Sequence, residues 1–252
     1  MIGHLIGLCN EIAVLYEARL LPVFVFDGQT PLLKAETMRR RSVQAAQRGF
    51  RLDSPMKDQM KTALDALGVP WVQAPEEAEA QASYMTQRGC WAALTNDYDA
   101  LLFGGSRMIR RLSKGKVEVC VLSEALESLG LDLDRLIDMA LLMGTDYNPG
   151  GVRGLGPKRS LQLIRDCGTV RAVLARIGQN GETERKLSEI RSYYLDPPVV
   201  GSWRSAWEPP DAAKAHAYLV REMKLSEASV ARLIRIMTRP VPPGHRQTKL
   251  AR

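Results

Sequence analysis

The sequence has few of the side chains on which many catalytic and metal centres depend. It has only three histidines in 252 residues, far apart at His4, His216 and His245. This scarcity argues against a Ser-His-Asp triad, a histidine metal site or a histidine general base. The four cysteines include no C-x-x-C pair. A zinc site is therefore not expected, and reduced core thiols are the default interpretation.

The sequence also lacks a signal peptide and any apolar run long enough to span a membrane. We therefore expect an intracellular protein with no membrane partner. Acidic residues are the minority charge, since 35 Lys and Arg stand against 28 Asp and Glu, giving a net charge of +7. This excess suits a polyanionic partner, although a merely soluble basic protein would show the same balance.

The basic residues are concentrated in two places. Between Lys34 and Arg51, six Lys and Arg accompany one acid, Glu36, and no acid follows Glu227. Phosphate binding is one interpretation of each run. The alternative is a solvated helix face for the first run and a loose basic tail for the second.

Short apolar strands alternate with helices in the first half of the chain, which predicts an α/β fold with a mostly parallel sheet and helices on both faces. Residues 107–112 and 116–122 are expected to form an antiparallel hairpin at its edge. The remaining expected strands are 22–26, 69–73 and 90–95, and the expected helices are 2–19, 32–48, 54–67 and 75–87.

From Ser123 onward the sequence predicts only helices, with caps at Ser123, Thr169 and Ser226 and a stop at Gly168. We therefore predict three regions. They are an α/β core over 1–122, a helical region over 123–239 and a basic tail over 240–252.

Acidic residues follow the predicted strands. Asp27 and Asp97 come directly after two strands, and Glu77 and Glu79 begin the helix after another. The carboxyl ends of parallel strands share one edge of a sheet, so we expect these acids to lie together. The alternative for any single one is a turn residue or a helix cap. Clustered carboxylates repel each other unless cations such as Mg²⁺ share the site.

Two details of this acidic site stay open from spacing alone. On a regular helix Glu76 would share a face with Glu79 better than Glu77 does. Asp97 and Asp99 point to the same side if their segment is extended, whereas an Asx turn capping a short helix is the alternative. Asp146 is a further candidate, because a glycine-rich loop, GVRGLGPKR (151–159), follows it closely.

This loop differs from a nucleotide-binding P-loop, since Pro157 stands where the lysine belongs and no strand precedes it. Two helices joined through G-x-G, with Pro157 opening the second, would instead present backbone N–H groups to an anion. Lys158 and Arg159 would add positive charge beside a DNA backbone. A plain interhelical turn is the alternative. A basic protein with an acidic metal pocket and such a loop indicates phosphodiester hydrolysis by two metal ions.

Five segments in order resemble the flap endonuclease or XPG family of structure-specific 5′ nucleases, and archaeal members most. They are HLIGL (4–8), PVFVFDG (22–28), APEEAEAQ (74–81), TNDYDALLFG (95–104) and MGTDYNPGGVRGLGPKRSLQLI (143–164).

The resemblance implies a role for each matched residue. Asp27, Glu77 and Glu79 match the acids that bind one Mg²⁺, and Asp97, Asp99 and Asp146 match those that serve the second, with Mn²⁺ as a substitute. Lys34 and Arg41 match basic catalytic residues near the scissile phosphate. Gly154, Gly156, Lys158 and Arg159 belong to a hairpin that resembles a helix-two-turn-helix element, which grips duplex DNA and often holds K⁺.

The resemblance also places the family's N-terminal strand and helix, with another metal-binding Asp, before Met1. We therefore expect a chain that lacks a central strand and has reduced activity, as a fragment, a misassigned start or a split polypeptide. Gln247 and Leu250 resemble the opening of a sliding-clamp-binding peptide. Its aromatic residues are missing, so clamp binding is a minor expectation.

The predicted function is a metal-dependent 5′ flap endonuclease and 5′–3′ exonuclease acting on branched DNA in replication and repair. The expected state is a monomer in the cytoplasm or nucleoid of an archaeon-like cell. A catalytically impaired junction-binding fragment and a PIN-like RNA nuclease are the alternatives.

Overall fold

A computed structural model describes residues 2–34, 52–111, 116–179 and 181–239. The chain forms two compact units, each assembled from separate stretches of sequence. Unit 1 comprises Met1–Phe26, Phe50–Gln73 and Gly201–Arg252, and unit 2 comprises Asp27–Gly49 and Ala74–Val200. These two units are defined by contacts between residues. They do not test the predicted regions 1–122, 123–239 and 240–252, which stay a prediction.

Unit 1 packs helices around one buried core and carries a pair of parallel strands. Leu5, Ile12, Leu64, Leu219 and Leu233 are buried together in this core. In chain order its elements are α1 (Gly3–Glu17), β1 (Phe24–Phe26), α2 (Ser54–Ala66), β2 (Trp71–Gln73), α10 (Ala212–Ala215), a π-helix (His216–Glu222) and α11 (Glu227–Met237).

Unit 2 contains the other strands and most of the helices. In chain order its elements are a 3₁₀ turn (Leu32–Lys34), α3 (Ala78–Thr86), β3 (Ala93–Leu94), α4 (Asp99–Leu102), β4 (Arg107–Arg111), β5 (Val117–Val121), α5 (Leu122–Leu129), α6 (Leu133–Met143), α7 (Pro157–Cys167), α8 (Val170–Arg176) and α9 (Gly181–Leu195).

A buried ion pair joins three helices of unit 2. Asp138 of α6 is 1% exposed and receives hydrogen bonds from Arg191 Nε at 2.7 Å and from the Val170 amide at 2.9 Å. Removing Arg191 would leave the Asp138 carboxylate buried without its ion-pair partner, which is costly. This contact fixes α9 against α6 and α8, and α9 carries two tyrosines that reach the candidate site.

The strands pair largely as the sequence predicts. β1 and β2 are parallel, β3 and β4 are parallel, and β4 and β5 form the expected antiparallel hairpin, with Ile109 opposite Val119. In the described residues these contacts form two sheets, β1–β2 and β3–β4–β5, rather than one continuous sheet. The α/β class with a mostly parallel arrangement is confirmed.

Several helix boundaries differ from the predicted ones. Helix α2 begins at Ser54 as predicted, and Asp53 caps it, because its Oδ1 accepts the Met56 amide at 2.9 Å. Ser123 lies inside α5 rather than at its cap, whereas Thr169 caps α8 as expected. Of the helix predicted over 32–48, the structure describes only the 3₁₀ turn at its start. The remainder lies outside the described residues.

From Leu122 to Met237 the described residues contain helices and no strand, as the sequence predicts. None of the helices in the described part of the chain is both long enough and apolar enough to cross a membrane.

Candidate active site

Lys34 ends the 3₁₀ turn of unit 2, and its ammonium lies between two carboxylates. Its Nζ is 2.5 Å from Glu77 Oε2 and 3.5 Å from Asp146 Oδ2, and its side chain is 13% exposed. Burial would lower the pKa of Lys34, but its hydrogen bond to Glu77 and the charges of the acids around it raise the pKa overall. The side chain therefore stays charged.

Asp27 follows β1 and caps α3, which begins directly after Glu77 and contains Glu79. Its Oδ1 accepts a 2.9 Å hydrogen bond from the Ala78 amide at the start of α3. It thereby satisfies a donor that a helix N-terminus leaves without an intrahelical partner. Gly28 permits this approach, because a Cβ there would lie 2.2 Å from the carbonyl oxygens of Ala74 and Pro75.

The start of α3 gives Glu76 and Glu77 different surroundings. Glu77 is the N-cap residue, with an extended backbone at ψ 127° and 8% exposure, and Glu79 lies in the first turn. Because Glu77 precedes the helix, the rotation that a regular helix imposes between residues two apart does not apply to Glu77 and Glu79. Glu76 instead accepts a 2.7 Å hydrogen bond from the Tyr193 hydroxyl. The prediction that α3 begins near Pro75 is wrong, and Glu77 is the residue beside Lys34.

Asp97 and Asp99 lie in an Asx turn rather than in an extended segment. The Asp99 amide donates to Asp97 Oδ1 at 2.9 Å, and α4 begins at Asp99. Tyr98 between them has an α-helical backbone conformation. Burial raises the pKa of Asp99, and repulsion from the nearby Asp97 carboxylate raises it further. Asp97 and Asp99 are therefore not brought to one side by an extended segment. The Asx turn brings the two acids together instead.

Asp146 lies in the loop after α6, and Asn148 fixes that loop. Asn148 Nδ2 donates to the Leu141 carbonyl at 2.7 Å, and its Oδ1 accepts from the Thr145 amide and hydroxyl at 3.1 and 2.8 Å. Tyr147 is 1% exposed and anchors the loop in the core. The loop therefore holds Asp146 by contacts on both sides of it.

The carboxylates of unit 2 form one electrostatically connected group, which we call the acidic cluster. Burial, with repulsion from Asp27 and Asp146, raises the pKa of Glu77. Burial, with repulsion from Asp27 and Asp97, raises the pKa of Glu79. Such mutual repulsion favours a bound cation. The cluster consists of Asp27, Glu77, Glu79, Asp97, Asp99 and Asp146.

The chemistry of the acidic cluster fits hard divalent cations, which prefer oxygen ligands. The ammonium of Lys34 already provides positive charge between two of its carboxylates. Within the described ranges, however, no three Asp, Glu, His or Cys side chains converge at metal-ligand spacing. The donor set therefore fits Mg²⁺ by charge and atom type.

Asp99 gives a pH-dependent test of this electrostatic description. Burial and repulsion by Asp97 raise its pKa from 3.8 to about 7, against a hydrogen bond from Tyr194. The folded metal-free protein then binds this proton more tightly than the unfolded chain. Its stability should fall as the pH rises from about 4 to about 7. In a chelator, Asp99→Asn should raise the Tm much more at pH 8 than at pH 5.

The matched control is Asp166→Asn on α7, because Asp166 is exposed at the surface, where it pairs with Gln162 and Arg176. Its effect on Tm should be the same at both pH values. If Asp99→Asn shifted the Tm equally at pH 5 and pH 8, the raised pKa would be wrong.

The glycine-rich loop joins α6 to α7 as predicted, with Gly156 as N-cap and Pro157 in the first turn of α7. Gly151 has φ +57°, and a Cβ there would lie 2.4 Å from the Leu142 carbonyl oxygen. Only glycine permits this close turn. The four residues predicted to contact DNA are all exposed here, namely Gly154, Gly156, Lys158 and Arg159.

The described residues include every predicted catalytic, metal-binding and DNA-binding residue except Arg41, which lies outside them. Sequence reasoning missed Tyr193 and Tyr194 of α9, which donate to Glu76 and to Asp99. The local pattern of α9 does not separate them from ordinary core residues. The general need of a buried tyrosine hydroxyl for a partner is the one signal that points to them.

Curated relatives match almost the whole chain. Flap endonuclease 1 of Aeropyrum pernix is 37% identical over 92% of this chain and 77% of its own length. The chain belongs to the flap endonuclease family. Flap endonuclease 1 of Methanopyrus kandleri is 36% identical over 92% of this chain and 78% of its own length. Profiles of the XPG N-terminal domain and the XPG I-region match residues 2–48 and 68–146.

Solved structures agree with this flap endonuclease assignment. The flap endonuclease-1 of Methanococcus jannaschii has a TM-score of 0.75 at 34% identity, over 92% of this chain and 79% of that one. A catalytic core of Rad2 in complex with DNA substrate has a TM-score of 0.76 at 25% identity, over 93% of this chain and 84% of that one. The fold is that of the 5′ nucleases.

Proposed function

We infer that the chain is a metal-dependent 5′ nuclease that cuts flapped DNA at the acidic cluster. Membership of the flap endonuclease family supplies the reaction class. The single observation that locates the reaction is the position of Lys34, the ammonium of which contacts Glu77 and Asp146 of the cluster. A phosphodiester is an anion, and an acidic site binds it only with the help of cations.

The cluster divides into two groups of proposed ligands. Asp27, Glu77 and Glu79 would hold one divalent ion, and Asp97, Asp99 and Asp146 the other. When bound, the ions supply Lewis-acid stabilisation of the phosphate and lower the pKa of a water molecule. Mg²⁺ is the proposed ion, with Mn²⁺ as a substitute.

The chain's own residues bind and orient the substrate in this proposal. Lys34 is placed at the cluster by its contacts with Glu77 and Asp146, and its charge would offset charge that develops on the scissile phosphate. Arg41 is proposed to share this role. Asn148 and Asp27 hold the backbone that carries the ligands, through hydrogen bonds to Thr145 and Ala78.

The loop over 151–159 is the proposed grip on duplex DNA. The N-terminus of α7 presents backbone N–H groups beside the exposed Lys158 and Arg159, an arrangement that suits a phosphate. A K⁺ ion in this element is part of the proposal. The hairpin would hold the duplex so that cleavage falls near the junction with single-stranded DNA.

Replacing Lys158 and Arg159 by Ala should weaken binding of flap DNA whatever its sequence. The slope of log K against log salt should fall by about one for each lost phosphate contact. Fluorescence anisotropy at several salt concentrations measures this slope. Arg185→Ala, an exposed position on α9 outside the hairpin, is the control and should leave the slope unchanged. Equal effects of the two changes would refute the assignment of the hairpin.

The function is tested with a labelled 5′-flap oligonucleotide, with Mg²⁺ and with a chelator. Cleavage near the junction that requires Mg²⁺ is the expected result. Tight binding without cutting would instead indicate a junction-binding fragment, and preference for RNA would indicate an RNA nuclease.

The chain would act on branched DNA in replication and repair, as a monomer. A sliding clamp is a proposed minor partner through Gln247 and Leu250, which lie outside the described residues. A clamp pull-down with and without 240–252 tests that contact.

A further inference from the structure

The side chain of Tyr194 contacts two loops that carry acids of the cluster. It donates a 2.7 Å hydrogen bond to Asp99 Oδ2. Its ring packs edge-to-face on that of Tyr147, the residue immediately after Asp146. One buried group therefore links the loop of Asp97 and Asp99 to the loop of Asp146.

The ring of Tyr194 is held firmly by aromatic neighbours. Tyr194 is 2% exposed. Its ring centroid is 4.8 Å from that of Phe103 and 5.2 Å from that of Tyr147, the latter in an edge-to-face arrangement. Such pairs add specific geometry to burial, so the hydroxyl has a fixed position.

We propose that Tyr194 is a positioning residue for the half of the acidic cluster formed by Asp97, Asp99 and Asp146. This inference rests on the proposed function. By holding Asp99 Oδ2, the hydroxyl restricts rotation of the carboxylate and fixes the direction of its other oxygen. Through its ring, Tyr194 also packs against Tyr147 in the loop of Asp146. Partners that orient metal-binding carboxylates in this way commonly change metal affinity or activity about 10–100-fold when removed.

Tyr193 provides a matched control from the same helix and the same aromatic group. Its ring lies 5.1 Å from that of Tyr147, and its hydroxyl donates to Glu76, which is not a member of the cluster. Tyr194→Phe and Tyr193→Phe each remove one hydroxyl from similar surroundings. A general loss of packing or stability would affect both variants alike.

The first measurement needs no catalysis. The Tm of each protein is followed as Mg²⁺ is added without DNA, and melting in a chelator confirms that each variant is folded. We expect Tyr194→Phe to raise the Mg²⁺ concentration at half-maximal stabilisation about tenfold. Tyr193→Phe should leave it at the wild-type value. An equal shift in both variants, or no shift in Tyr194→Phe, would overturn the proposal.

The second measurement is single-turnover cleavage of a 5′-flap oligonucleotide across a range of Mg²⁺ concentrations. Tyr194→Phe should move the midpoint of the Mg²⁺ dependence about tenfold, with flap binding in Ca²⁺ unchanged. If wild-type protein bound Mg²⁺ but cut no flap DNA, the proposed function would fail, while the thermal measurement would still test Tyr194.

A double-mutant cycle separates positioning of Asp99 from an indirect effect. In an Asp99→Asn background the carboxylate that Tyr194 orients is gone. Adding Tyr194→Phe should then change the Mg²⁺ midpoint far less than it does in the wild-type background. A full additional shift in that background would mean that Tyr194 acts elsewhere, and would overturn the assignment.

Discussion

Asp97→Ala and Asp146→Ala should each lower the single-turnover rate of flap cleavage at least about 1000-fold, equivalent to about 4 kcal/mol of transition-state stabilisation. Each change removes one proposed cation ligand and one negative charge from the acidic cluster. Binding of flap DNA should change little, because phosphate contacts elsewhere provide most of the affinity. Rapid-quench kinetics in Mg²⁺ and anisotropy in Ca²⁺ measure the two quantities separately.

Glu76→Gln is the matched control for these variants. Glu76 adjoins Glu77 in sequence, but its carboxylate accepts a hydrogen bond from the Tyr193 hydroxyl, and it is not one of the six residues of the cluster. Its replacement should leave the cleavage rate within about threefold of wild type, as for changes that remove no group contacting the substrate. Unchanged turnover in both Asp97→Ala and Asp146→Ala would refute the metal assignment.

Lys34→Met should reduce the single-turnover rate about 100-fold while changing the Kd for flap DNA much less. Methionine keeps an unbranched apolar side chain and removes only the ammonium that contacts Glu77 and Asp146. The metal-free protein should also become less stable, because the two acids lose their internal counter-charge. Single-turnover kinetics, anisotropy and melting in a chelator measure the three effects.

Lys158→Met is the complementary control, since Lys158 is exposed on the hairpin and lies outside the cluster. It should weaken DNA binding and leave the rate at saturating enzyme unchanged. If Lys34→Met instead weakened binding more than it slowed cleavage, Lys34 would have a docking role only.

The candidate site shows how far residue patterns reach. The positions of Asp27 and Asp97 after strands predicted that they would lie together, because parallel strands end at a common edge. Spacing alone did not choose between Glu76 and Glu77. That choice depended on where α3 begins, and its start is set by Asp27, which caps Ala78 from a different part of the chain.

Other features of the site depend on contacts between distant residues. Tyr194 reaches Asp99 across 95 positions of sequence, and Tyr193 reaches Glu76 across 117. Neither tyrosine carries a local signal of its partner, since side-chain hydrogen bonds over such separations follow from packing. The Asx turn at Asp97 is local, but such a turn and an extended segment are both open to this sequence, and spacing alone does not choose between them.

The sequence by itself determined the α/β class, the β4–β5 hairpin, the glycine loop before Pro157 and the acids that follow the strands. These features depend on periodicity, on glycine at positive φ and on turn chemistry, which act over a few residues. Only the tertiary structure decided that Glu77 rather than Glu76 meets Lys34, and that Tyr194 joins the loops of Asp99 and Asp146. Those choices depend on which side chains remain buried and close together once α3, α6 and α9 have packed.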